Sequence, residues 1–175
     1  MFNILDYFLK DESSQWGESY KVPLSLNLQT ETLNGLRIGD EFQKLSVFGR
    51  PNNRQPFKRN RFSYYTLGLD VDGMNGKIEA FTFMIDETAV YSHPQRFANC
   101  EFTVLTKNGR QMTINKFTNL REIEQVFGAA HDKDIDEELD SISATYRQNN
   151  LSIEFECLYN GSVVMLCVDI LEDLD

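Results

Sequence analysis

Residues 38–49, IGDEFQKLSVFG, recur as residues 117–128, FTNLREIEQVFG, with the same offset of 79 from Asp40 to Asn119 and from Gly49 to Gly128. A chain that repeats itself solves one folding problem twice, so this correspondence restricts the architecture more than any composition figure. Both copies carry a capping pair, Asp40 with Gln43 and Asn119 with Glu122. In such a pair a short polar side chain meets orphan N–H groups of the first turn and the third residue reaches back. Both copies close on Val-Phe-Gly, where glycine takes the positive φ that ends a helix, and Pro51 follows the first as a further stop. Two short helices, of about two to three turns each, are expected.

Downstream, residues 76–85 match residues 161–170 at an offset of 85, and both read as strands. Strand-like runs at 64–71 and 151–158 precede them, joined through 72–76 and 159–161, where Gly and Asn favour hairpin turns. Upstream, Asn34-Gly35 and Asn108-Gly109 recur at an offset of 74, the first after Leu24, Leu26 and Leu28, the second after Phe102 and Val104. Offsets that grow from 74 to 79 to 85 in unchanged order are what loop insertions do to a duplicated unit. The fold class expected is α+β: two tandem repeats, each a short capped helix packed on a small antiparallel sheet, plus an N-terminal helix. The domains are then an N-terminal helix at 1–19, repeat 1 at 20–91, a linker at 92–97 and repeat 2 at 98–172. The repeats share a sheet or pack face to face in one compact body. Phe2, Ile4, Leu5, Phe8 and Leu9 fall on one helical face, which docks the first segment on that body.

The Ile38-Gly39-Asp40 start, the short helix and the Phe48-Gly49-Arg50-Pro51 exit resemble the small-unit pattern of the bacterial BamE (SmpA/OmlA) and beta-lactamase-inhibitor-protein-like group. The resemblance implies tandem helices against an antiparallel sheet, and a protein that binds other proteins without catalytic residues. Two departures limit it. Exported members carry signal sequences with no counterpart in residues 1–10, and Ala129-Ala130 stand where the first copy has Arg50-Pro51. No binding residue is carried over.

The 175 residues hold 17 Lys and Arg against 27 Asp and Glu, a net charge of −10 that repels phosphate backbones and anionic membranes. This argues against nucleic acid as a whole-surface partner and against a membrane. The first ten residues lack a basic n-region, a long apolar core and a cleavage site, and no apolar run approaches the roughly 20 residues of a spanning helix. Cys100, Cys157 and Cys167 are odd in number and lie among apolar residues, as reduced structural thiols do. The location expected is cytoplasmic.

No motif for chemistry emerges. His93 and His131 stand apart from each other and from the cysteines, so no zinc spacing exists. His93 reads as a loop residue, and His131 beside Asp132 has no accompanying nucleophile motif. The acids at 70–76 and 132–140 fail the EF-hand pattern, the first with Asn75 and the second with Glu137 where glycine is required. Neither a phosphate loop nor a dinucleotide fingerprint is present, and no cofactor or metal is expected.

Charge asymmetry is more informative. Arg50, Arg54, Lys58, Arg59 and Arg61 cluster after the first helix, with Phe57 and Phe62 among them, while the matching loop of the second copy carries Asp132, Asp134, Asp136, Glu137, Glu138 and Asp140 with one lysine, Lys133. Cations beside aromatics suit single-stranded nucleic acid, a protein contact or an ordinary exposed loop. The partner-binding candidates are Arg50, Arg54, Phe57, Lys58, Arg59, Arg61 and the six acids. The function expected is a non-catalytic protein-binding module, a bacterial immunity or inhibitor protein that meets a basic toxin or enzyme by charge steering. The alternative is an enzyme or small-ligand binder using a groove between the repeats.

Overall fold

Alternation along the strands dictates the larger sheet. In β10 (Leu151–Leu158), Leu151, Ile153, Phe155 and Cys157 are buried while their neighbours are half-buried or exposed, the period of two that a half-covered strand requires. β11 (Val163–Ile170) buries Leu166 and Val168 on the same face, and β5 (Lys77–Met84) buries Phe81 and Phe83. Antiparallel pairing extends outward to β4 (Leu69–Met74) and β3 (Arg61–Tyr64) on one side, and to β9 (Ser141–Gln148) and β8 (Asp132–Asp136) on the other. In this computed structural model, which describes residues 11–19, 21–86 and 97–171, the result is a seven-stranded sheet of order β3-β4-β5-β11-β10-β9-β8. Two rows of side chains cross it. Phe62, Val71, Phe81, Val168, Ile153 and Tyr146 form one, and Tyr64, Leu69, Phe83, Leu166, Phe155 and Ala144 the other.

A second sheet covers the middle of those rows. Its order is β2-β1-β6-β7, from β1 (Leu24–Asn27), β2 (Thr32–Leu33), β6 (Phe102–Leu105) and β7 (Gln111–Ile114), with β1 and β6 parallel. The Phe102 ring stacks on Phe83 at 4.3 Å between centroids, which joins the two sheets in one hydrophobic core. Shorter elements cover the flanks. The 3-10 segment Phe42–Phe48 sets Phe42 on Phe62 (4.7 Å) and Phe48 on Tyr64 (5.5 Å). A four-residue helix, α1 (Pro56–Arg59), lies beside it, and at the other flank helix α2 (Leu120–Phe127) packs Phe127 on Tyr146 and Phe155.

This architecture overturns the α+β expectation. Strands make up 43% of the chain, eleven of them in two sheets among the described residues, and helix is scarce. Neither half keeps a small sheet of its own: β1 pairs with β6 and β5 pairs with β11, so each sheet draws strands from both halves. The first copy's helix is not α-helical either. Its N-cap is Glu41 without a side-chain bond, because the Asp40 carboxylate is taken by the Arg37 N–H (2.9 Å) and the Lys44 ammonium (2.5 Å). Only the second copy forms the capping box, with Asn119 accepting from the Glu122 N–H (3.1 Å) and Glu122 from the Asn119 N–H (2.9 Å). Of the expected N-terminal helix, residues 1–10 lie outside the described residues, and 11–19 hold only a 3-10 turn, Glu12–Gln15, capped by Asp11. Most of the linker, with His93, also lies outside them.

Some local contacts do recur. The Phe42 N–H donates to the Gly76 carbonyl (3.0 Å) and the Leu120 N–H to that of Gly161 (2.8 Å). Likewise the Ile78 N–H donates to Asp40 (2.9 Å) and the Val163 N–H to Thr118 (3.1 Å). Each pre-helical segment thereby clips the tip of the hairpin that follows it.

Candidate functional site

The two charged segments sit at opposite edges of the seven-stranded sheet, the basic one beside β3 and the acidic one in and after β8. Six strand spacings separate them by roughly 29 Å, so they do not meet within one chain. Arg50, Arg54, Lys58 and Arg59 are exposed on the basic side. Phe57 is half-buried: its ring packs against Trp16 (5.7 Å), Phe42 (6.0 Å) and Phe62 (5.1 Å) and anchors α1. Arg61 is also structural. Its guanidinium holds the fully buried Asp70, which takes a second bond from the Ser63 hydroxyl (2.8 Å), and lies 3.8 Å from Asp72. Burial raises the Asp72 carboxyl above its usual range; Arg61 opposes this and the Asp70 charge adds to it.

Side chains seal both edges of this sheet. At β3, the Asn52 N–H donates to the Ser63 carbonyl (2.7 Å), and the Asn53 amide bonds both the Arg61 carbonyl (2.7 Å) and the Ser63 N–H (2.9 Å). At β8, Asp132 accepts from the Lys133 N–H (2.9 Å) and Asp134 from the Ile135 N–H (3.0 Å). Carboxylates on an exposed strand thus occupy the donors an added strand would need. Asp136 shapes the next turn by accepting from the N–H groups of Glu138 and Leu139. Glu137, Glu138 and Asp140 remain exposed, with no side-chain partner among the described residues.

The structure adds residues that the sequence reading missed. Leu139 is 73% exposed in the β8–β9 turn and Tyr159 is 63% exposed in the β10–β11 turn. The two turns adjoin, because the Tyr159 N–H donates to the Asp140 carbonyl at 2.8 Å. Phe117, 80% exposed with the Lys116 ammonium 5.1 Å from its ring, lies on the segment that clips the β10–β11 turn. One end of the sheet therefore presents apolar side chains next to unpaired carboxylates. The signal available in sequence was a single leucine or tyrosine inside an otherwise polar turn.

Cys100 and Cys157 are buried and Cys167 is half-buried. Burial pushes the thiols of Cys100 and Cys157 up to about 12 and raises that of Cys167. Among the described residues no group of three His, Cys, Asp or Glu side chains is placed to hold a metal ion, and no helix is long and apolar enough to cross a membrane. A groove at the start of β1 and β6, bordered by Lys21, Leu24, Thr66 and Phe102, has no histidine, cysteine or serine in its lining.

No protein-family model matches the chain, and no curated protein matches it in sequence. Its fold is similar to that of a DUF4309 family protein, YjgB, from Bacillus subtilis subsp. subtilis str. 168. The TM-score is 0.52 at 11% identity, over 79% of this chain and 84% of that one. At that identity the likeness is one of fold alone.

Proposed function

We propose that the chain is a non-catalytic protein-binding module that covers a basic surface of its partner, in the manner of an immunity or inhibitor protein. The observation that carries this reading is the pair Leu139 and Tyr159, large apolar side chains held in water on adjoining turns and bordered by Glu137, Glu138 and Asp140. A partner that buries them gains the apolar area, and tyrosine at the centre of an interface is a common anchor. The surrounding carboxylates and the net charge of −10 draw in a basic surface and set its orientation. With the β8 edge sealed by Asp132 and Asp134, the contact is made by side chains rather than by strand addition.

The test is affinity capture from the source organism with wild type and a Leu139→Ser/Tyr159→Ser variant, followed by binding kinetics with the purified partner. The expected partner is basic, associates more slowly as salt rises, and dissociates faster from the variant. A purified partner that binds both forms equally, or that is itself acidic, refutes the reading.

A further inference from the structure

We propose that the groove between Arg50, Arg54 and Arg59 binds a small molecule carrying a pyrophosphate group. The groove encloses about 630 Å³, within the range of roughly 300–1,000 Å³ usual for small-molecule sites. It lies at the β3 edge, remote from the acidic turn, and the proposal does not rest on the protein-binding reading.

The first argument is charge left unpaired. Among the described residues only Lys44, Arg61 and Lys133 have carboxylate partners, Asp40, Asp70 and Glu124; what sets Arg50, Arg54 and Arg59 apart from the other cations is that they line one groove. Arg50, Arg54 and Arg59 have no carboxylate partner among the described residues, in a chain where acids outnumber bases 27 to 17. Three guanidinium groups on one concave wall repel one another, and an anion between them turns that repulsion into attraction.

The second argument is rigidity. The Arg50 N–H is fixed to the Gly17 carbonyl (2.8 Å), the Asn52 side chain accepts from the Tyr65 N–H (2.7 Å), and Asn53 is bonded twice to β3. Arg50 and Arg54 therefore project from a pinned loop and Arg59 from helix α1, which lowers the ordering cost of binding. The Asn52 amide accepts through its oxygen and keeps its NH2 group, so the donors on the wall are the guanidinium forks, the Asn52 and Gln55 side-chain amides and the backbone N–H groups of Arg54 and Gln55, which have no acceptor among the described residues.

Ligand chemistry follows from these donors. Guanidinium forks match phosphate oxygens two at a time, and two adjacent phosphates offer each of three forks its own oxygens. A small anion is favoured over a polymer, because at physiological ionic strength charges beyond about 8 Å are screened. Inside the groove a small anion responds mainly to the arginines, whereas an extended polyanion would also cross the negative remainder of the surface. The groove lining holds no aromatic ring on which a base could stack. The one acid on the wall, Asp11, has its carboxylate turned to its own Ser13, N–H (3.1 Å) and hydroxyl (2.7 Å).

Calorimetric titration of the full chain with inorganic pyrophosphate, orthophosphate, a nucleoside diphosphate and a single-stranded oligonucleotide tests the site. Pyrophosphate should bind at least about tenfold tighter than orthophosphate, and Arg54→Ala and Arg59→Ala should each weaken it by about tenfold or more. Lys58→Ala, beside Arg59 in helix α1 but outside the groove lining, should leave affinity within about twofold, and circular dichroism should show every variant folded. A nucleoside diphosphate that binds as tightly assigns the group to an organic carrier, and binding of inorganic pyrophosphate alone assigns it to the free ion. The absence of pyrophosphate binding, equal weakening by Lys58→Ala, or tighter binding of the oligonucleotide each overturns the proposal.

Discussion

Thr82 and Cys167 face each other across the β5–β11 pairing, the threonine hydroxyl donating to the sulfur at 3.8 Å, and the 85-residue offset that carries Gly76 onto Gly161 carries Thr82 onto Cys167. Their neighbours are exchanged in the same way, Phe81 opposite Val168 and Phe83 opposite Leu166. Matching positions of the two halves therefore meet at the middle of the large sheet, about a local twofold relation, instead of closing two separate sheets. Both members of the central pair are half-buried.

Gly49 and Gly128 share a backbone conformation, φ 76° with ψ −163° and φ 90° with ψ −164°, a region almost closed to other residues. Their surroundings differ. A Cβ on Gly128 meets open space, whereas one on Gly49 comes within 2.3 Å of the Glu18 carbonyl oxygen. Gly128→Ala should cost about 1–3 kcal/mol from conformation alone, and Gly49→Ala more, because backbone must also move. Urea denaturation of both variants checks the order; equal losses refute it.

Arg61 and Arg54 stand in one basic segment but should behave oppositely. Arg61→Ala leaves Asp70 as a buried carboxylate without its cation, and with the arginine half-exposed the loss is about 2–3 kcal/mol. Arg54→Ala should stay within about 0.5 kcal/mol, as surface substitutions do. Thermal melting that shows similar effects for the two removes the structural assignment of Arg61.

Alkaline pH should weaken the fold. Burial raises Cys100 and Cys157 from 9.0 to about 12 and, with the charges of Glu124 and Cys157 adding, Tyr146 from 10.0 to about 12. For groups raised in this way the unfolded chain ionises first. Their contribution to stability is whole below about 9 and is lost as pH climbs to about 12. The urea midpoint should fall across that window, and at neutral pH Cys100 and Cys157 should be alkylated only as fast as the chain opens. Rapid alkylation of the folded protein contradicts the burial.

What the sequence shows of this fold is its local part. The strands at 151–158 and 163–170 declare themselves by alternation and by a continuous apolar run, and Asn119 with Glu122 declares helix α2. The run at 64–71 misleads, because residues 65–68 turn and Gly68 brings the backbone to Cys100 so closely that a Cβ would lie 2.4 Å from the Ala98 carbonyl. β8 cannot be recognised from periodicity, since all five of its residues are exposed; its neighbour β9 makes it a strand. The parallel β1–β6 pairing joins residues far apart in sequence and leaves no local mark. The apolar end of the candidate surface is hidden for a related reason: Leu139 and Tyr159 become neighbours only once β9 and β10 pair.

The central place of β11 has a consequence for the order of assembly on the ribosome. It is the last strand among the described residues, yet it lies between β5 and β10 and joins the two halves of the large sheet. When β5 has been made, its pairing partner is still about 80 residues away, roughly 4–16 s at ordinary elongation rates. Through that interval Phe81 and Phe83 belong to an open edge, and a nascent chain of this design needs shelter until its final strand arrives.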